Sequence, residues 1–149
     1  MDSRFMADAL FFAKEAYREG EIPVGAVIVK DGAVVSSGRN RREKHQNALA
    51  HAEIEAIDSA CKKLGTWRLD GCALYVTLEP CPMCMGAILN ARIPVLVFGA
   101  YDLEQGCADS AVRLSDFVNL SKPEVYGGIC EDECKALLKD FFATVRKQN

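Results

Sequence analysis

Two short segments of this chain are chemically useful only if the fold brings them together. His51-Ala52-Glu53 offers an imidazole and a carboxylate two positions apart, and Pro80-Cys81-Pro82-Met83-Cys84 offers two thiols three positions apart. Cysteines at i and i+3 in the first turn of a helix present both sulfurs toward its N-terminal end, where unpaired backbone N–H groups and the helix dipole favour thiolate. Pro82 fits such a turn, because an early helical position needs no N–H donor. A Glu two residues after a His does not share its face in a regular helix, so the two cooperate only at a helix start. His51 can then point along the axis while Glu53 leans over the same point. Two helices that each follow a strand of one sheet bring their N-termini to a common place at the strand C-terminal ends. The chain must therefore alternate strand with helix.

The remaining pattern agrees. Phe5, Met6, Ala9, Leu10, Ala13, Ala16 and Tyr17 recur at helical spacing and predict a helix over residues 3–18, with Asp2 or Ser3 as N-cap and Gly20 as its end. Residues 26–29 form a short apolar run, read as a buried strand, and Asp31-Gly32 predicts a hairpin turn to a partner over 33–37. The polar, basic stretch 38–50 reads as a loop. Helices are predicted from about 51 to 64, stopped by Gly65, and from 81 to about 91, with strands over 73–77 and 95–99. A loop over 101–109, a short helix over 111–117, an edge strand over 124–126 and an amphipathic helix over 132–147 complete the chain. This order predicts one α/β domain over residues 1–149, with a mixed sheet covered on both faces. No internal repeat or low-complexity linker interrupts it.

With 149 residues, half of them hydrophobic, the chain can bury a core without disulfides. Its seven cysteines are odd in number and follow no regular framework, and no basic and apolar leader follows Met1, which together predict a reducing, cytoplasmic compartment. No apolar run approaches the ~18 residues of a membrane span. A net charge of -3 argues against a protein coated in positive charge, although Arg39, Arg41, Arg42 and Lys44 crowd one stretch and Arg146-Lys147 nearly close the chain. Those clusters are either a nucleic-acid contact or a solvated face.

One His and two Cys are the ligand set of a zinc site that keeps its fourth position open, as catalytic sites do. His51, Cys81 and Cys84 are thus the expected ligands of one Zn2+, and Glu53 the expected general acid/base beside it. Taken alone, Cys-x-x-Cys could be a buried or redox pair, and a Glu in a first helical turn could simply favour the dipole. Taken together and in this order, His-x-Glu with Pro-Cys-x-x-Cys is the known signature of the zinc nucleobase deaminases. Cys130 and Cys134, four apart, have no His beside them and read as small buried hydrophobes, as do Cys61, Cys72 and Cys107.

Beyond these motifs, Ile22-Pro23-Val24-Gly25-Ala26-Val27, Gly38-Arg39-Asn40-Arg41, Ala50-His51-Ala52-Glu53, Trp67-Arg68-Leu69, Leu74-Tyr75-Val76-Thr77-Leu78-Glu79-Pro80-Cys81, Phe98-Gly99-Ala100 and Asp140-Phe141-Phe142 resemble the bacterial tRNA-specific adenosine deaminases of the cytidine/deoxycytidylate deaminase superfamily. The resemblance spans nearly the whole chain. It implies a cytidine-deaminase-like, three-layer α/β/α fold with a central mixed five-stranded sheet, one zinc per subunit, a homodimer, and conversion of adenosine to inosine at the wobble position of a tRNA anticodon loop. It also implies that Asn40 hydrogen-bonds the nucleoside, that Pro23 and Val24 line the base pocket, that Asp102 approaches nucleotides beside the target, and that Phe142 and Arg146 face the anticodon loop. Ala48-Leu49, Asp109 and Ala143 depart from the family pattern. These departures and the net charge motivate a second reading, deamination of a free base or nucleoside of the guanine or cytosine type. A third, a zinc-stabilised binding module without catalysis, gives Glu53 nothing to do.

Overall fold

Asp31 and Gly32 both take positive φ, 51° and 74°, the twist that lets a two-residue turn join tightly paired strands. Through that turn β1 (Gly25–Lys30) folds back on β2 (Ala33–Arg39). The computed structural model describes residues 2–148, and within them the elements follow as α1 (Arg4–Arg18), the β1–β2 hairpin, α2 (Arg42–His45), α3 (Ala52–Leu64), β3 (Cys72–Leu78), α4 (Pro82–Asn90), β4 (Val95–Ala100), β5 (Glu124–Tyr126) and α5 (Glu131–Gln148). The five strands form one sheet in the order β2-β1-β3-β4-β5. β1 is antiparallel to both β2 and β3, while β3, β4 and β5 are mutually parallel. β2 therefore runs the same way as β3 and β4, and the C-terminal ends of all three reach one edge of the sheet.

Alternation along the strands divides the core in two. Ala26, Ile28, Leu74, Val76, Leu96 and Phe98 face a cluster built with Ala52, Ala56 and Ala60 of α3 and Met85 and Ile88 of α4. Val27, Val29, Tyr75 and Val97 face the other way, against Met6, Ala9 and Leu10 of α1 and Cys134 and Leu137 of α5. The result is three layers, with α3 and α4 on one face and α1 and α5 on the other. α3 sits close on β2 because Gly38 has no side chain; a Cβ there would lie 2.2 Å from the Ala52 carbonyl oxygen. Among the described residues, no helix is long and apolar enough to cross a membrane.

The structure departs from the sequence expectations at two places. Residues 38–50 are not all loop: Gly38 and Arg39 extend β2, and Arg42–His45 form a helical turn. That turn is capped from a distance, since the buried carboxylate of Glu21 accepts the backbone N–H groups of Glu43 (3.1 Å) and Lys44 (2.7 Å). The helix expected over 111–117 shrinks to a 3-10 turn at Leu114–Asp116. Its backbone donors are taken by earlier loop carbonyls, those of Ala111 and Val112 by Gly106 and that of Leu114 by Cys107. At the start of α1, of the two caps the sequence offers, Asp2 accepts the Arg4 N–H through Oδ1 at 3.0 Å and the Ser3 side chain makes none.

Candidate active site

His51 and Cys81 are the N-cap residues of α3 and α4, each with extended backbone (φ -85°, ψ 155° and φ -73°, ψ 175°), and Pro82 opens α4. His51 Nδ1 lies 3.6 Å from Cys81 Sγ and 3.5 Å from Cys84 Sγ. The three donor atoms lie within 4.8 Å of one another and could hold a metal ion, the one such group among the described residues. The donor set fits zinc: bonds of about 2.0–2.3 Å at tetrahedral angles place nitrogen and sulfur donors about 3.5 Å apart.

Electrostatics at this point run in opposite directions on neighbouring groups. The hydrogen bond from Cys84, and then that from His51, hold the Cys81 thiol down to about 4. Giving that bond, in a buried position, pushes the Cys84 thiol up. The contact with Cys81 raises the His51 imidazole. Burial pushes the Glu53 carboxyl up to about 7, close to the pH at which proton transfer in both directions is easiest.

A cavity of about 680 Å³ opens over these groups, within the range of small-molecule sites. It is lined by His51, Glu53 and Cys81 together with Val24 and Asn40, by Tyr101, Asp102 and Leu103 of the loop after β4, and by Leu138 and Phe142 of α5. Phe142, Tyr101 and Leu103 are exposed there, at 43%, 38% and 80%.

The candidate residues fall into three groups. His51, Glu53, Cys81, Asn40, Val24, Asp102 and Phe142 line the cavity, and Cys84 is buried against the ligand cluster. Pro23 is buried beside Val24 without lining it. Arg146 is exposed off the cavity, its Nε donating to the Phe142 carbonyl at 3.2 Å. Asn40 is held by both ends of its amide, Nδ2 donating to the Ile22 carbonyl (3.3 Å) and Oδ1 accepting the Arg42 N–H (3.1 Å).

Residues 1–146 match the MafB19-like deaminases. The chain belongs to that family. It is 45% identical over 148 residues to the tRNA-specific adenosine deaminase of Bacillus subtilis (strain 168), covering 99% of this chain and 92% of the relative. A solved structure from work on A-to-I editing by tRNA:A34 deaminases at the wobble position of transfer RNA superposes with TM-score 0.88 and 43% identity, over 91% of this chain and 99% of the other. A guanine deaminase from Nitrosomonas europaea superposes with TM-score 0.82 at 25% identity, over 96% and 85%. The three layers around a mixed five-stranded sheet are the cytidine-deaminase-like fold expected from the sequence.

The structure of this deaminase adds site residues that sequence reasoning passed over. Glu79 is buried, lines the cavity and accepts hydrogen bonds from Asp102, Asp109 and Ser110. Its only signal in the sequence is an acidic residue directly after an apolar strand, where a solvated turn is the commoner explanation. Arg42 is the one arginine or lysine lining the cavity among the described residues, and the carboxylate of Glu43 is 3.9 Å away. The other basic residues of that stretch are engaged: Arg39 and Lys44 both reach Glu19 at 2.5 Å, and Arg41 reaches Glu55 at 3.4 Å. Asp109, the departure that adds a carboxylate to the far loop, is paired with Arg113 at 2.8 Å. Cys134 is buried, and desolvation pushes its thiol up to about 12.

Proposed function

We propose that this deaminase converts adenosine to inosine at the wobble position of a tRNA anticodon loop by zinc-dependent hydrolysis. The carrying observation is the convergence of His51 Nδ1, Cys81 Sγ and Cys84 Sγ within 4.8 Å, beside the buried Glu53, at the cavity. A zinc ion held by these three donors supplies Lewis acidity and lowers the pKa of water to about 7. Glu53 takes a proton from the attacking water and delivers it to the purine ring nitrogen, where it stays in inosine, and then carries a second proton, from the hydroxyl added at the ring carbon, to the amine that leaves as ammonia. Its carboxyl, raised to about 7 by burial, is suited to both halves of that exchange. Asn40 and Val24 orient the nucleoside, with Pro23 backing the wall behind Val24. The base must leave its stack to reach this depth, and Phe142 and Tyr101 offer aromatic faces at the rim for neighbouring unpaired bases. Asp102 meets the nucleotide beside the target, and Arg146, one turn after Phe142 on α5, meets the backbone further along.

We read residues 1–149 as one catalytic unit, one zinc per subunit, working in the cytoplasm where its tRNA substrate resides. A homodimer is the proposed assembly; Val112, Phe117 and Val118, exposed in one connection, offer apolar area for a second copy to cover. The test is to incubate the zinc-loaded protein with total tRNA and look for inosine at the wobble position, with free guanine and cytosine as parallel substrates. Inosine in tRNA supports the proposal. Turnover of a free base with tRNA unchanged sinks it.

A further inference from the structure

Glu79 is a buried carboxylate two residues before a candidate zinc ligand and on the wall of the cavity, so it could serve the substrate or the scaffold. Counting its acceptor sites decides between them. Oε1 accepts the Asp102 backbone N–H at 3.0 Å and the Ser110 hydroxyl at 2.5 Å. Oε2 accepts the backbone N–H groups of Asp109 at 2.7 Å and Ser110 at 2.8 Å. An ionised carboxylate has about four lone-pair sites, and all of them are taken inside the protein. Nothing is left for a substrate. The three backbone donors flank the segment 102–110, whose first residues, Asp102 to Gln105, form one wall of the cavity. Gly106 lies directly on the carboxylate: a Cβ there would fall 2.4 Å from Glu79 Oε1 and from the Asp102 carbonyl oxygen. The Cys107 N–H, donating to the Pro80 carbonyl at 2.8 Å, fastens the same segment to the residue after Glu79.

We propose that Glu79 is a positioning residue for substrate binding: its carboxylate gathers the backbone of residues 102–110 and sets where the wall formed by Asp102 to Gln105 stands. Resting on the tRNA deaminase reading above, this predicts that loosening Glu79 weakens productive RNA binding more than it slows the chemistry, because Glu53 and the three ligands are held by α3 and α4. In Glu79→Gln the side chain keeps its shape, but one of its two ends becomes a donor facing donors, so at least one backbone N–H in the segment loses its partner. Gly106→Ala attacks the same contact from the loop side with Glu79 intact.

Both variants are compared with the wild-type zinc-loaded protein by hydrogen exchange, zinc content and steady-state deamination of tRNA. Amide exchange at 102, 109 and 110 should rise by about tenfold or more, and KM for tRNA by about tenfold, a change of about 1.4 kcal/mol. Zinc content should be unchanged and kcat should stay within about twofold of wild type. Unchanged exchange and KM in both variants overturn the proposal. So does loss of kcat and zinc with KM intact, which would make Glu79 part of the ligand scaffold. If Glu79→Gln fails to fold, Gly106→Ala decides alone. If the wild-type protein leaves tRNA unmodified, the functional reading fails while exchange still decides whether Glu79 holds the loop.

Discussion

At the scale of single residues, the division of labour among five glutamates explains itself by partners. Glu53 is buried and raised to about 7, whereas Glu79 is saturated by donors, Glu21 caps the α2 turn, and Glu19 and Glu55 meet arginines. Of these five, Glu53 is the one proposed to move protons. Glu53→Ala should therefore lower kcat by about 10²-fold or more with zinc content retained, as read by inosine formation and metal analysis. Arg42 is the complementary case among the bases. Arg42→Ala should weaken tRNA binding about equally across tRNA sequences and reduce the slope of log affinity against log salt by about 1, measured by filter binding over a salt series. The candidate ligands and Glu53 were legible because their spacing is local, i to i+2 for His51 and Glu53 and i to i+3 for Cys81 and Cys84. Glu79 and Arg42 were not, since what makes them matter lies far along the chain or in the pairing of their neighbours.

At the scale of elements, the apolar runs of β1, β3 and β4 announced buried strands, and His51 and Cys81 fell at helix starts where the motif chemistry required them. The α2 turn was hidden because its cap comes from Glu21, and residues 111–117 misled because their N–H groups turn back to Gly106 and Cys107. Glu19 ties the end of α1 to β2 and α2 through Arg39 and Lys44. Hydrogen bonds from Lys44 and Arg39 hold its carboxyl down at about 2, against 4.5 when free. A depressed carboxyl stabilises the fold fully above its unfolded value and loses that contribution as pH falls toward the folded one. The wild-type protein should thus be more resistant to urea than Glu19→Gln at neutral pH, and the gap should narrow between about pH 4.5 and pH 2. A gap independent of pH would refute the assignment.

For the whole molecule, α3 and α4 contribute to one core cluster on the same face of the sheet, yet their N-termini meet only at the candidate zinc ligands. Chelating the metal should abolish turnover and lower Tm by several degrees, both restored by zinc, because an ion that binds only the folded state stabilises it. Phe98, fully buried between β3, β5 and the helices, tests the core independently of the site: Phe98→Ala should cost about 3–5 kcal/mol in denaturant unfolding. The layer order and sheet composition followed from strand and helix alternation, but the register and the closing of the cavity by α5 depend on contacts that no local pattern encodes.

The shared direction of β2, β3 and β4 carries a consequence for engineering. Because the strand ends converge, the groups proposed to move protons and hold metal ride on two helices, while Asp102 and Phe142, proposed to meet RNA beyond the target base, ride on a loop and a terminal helix. These are separable by cut and splice. Exchanging residues 101–110 together with α5 for those of another deaminase should re-address the same reaction to a different surrounding of the target base while leaving His51, Glu53, Cys81 and Cys84 in place.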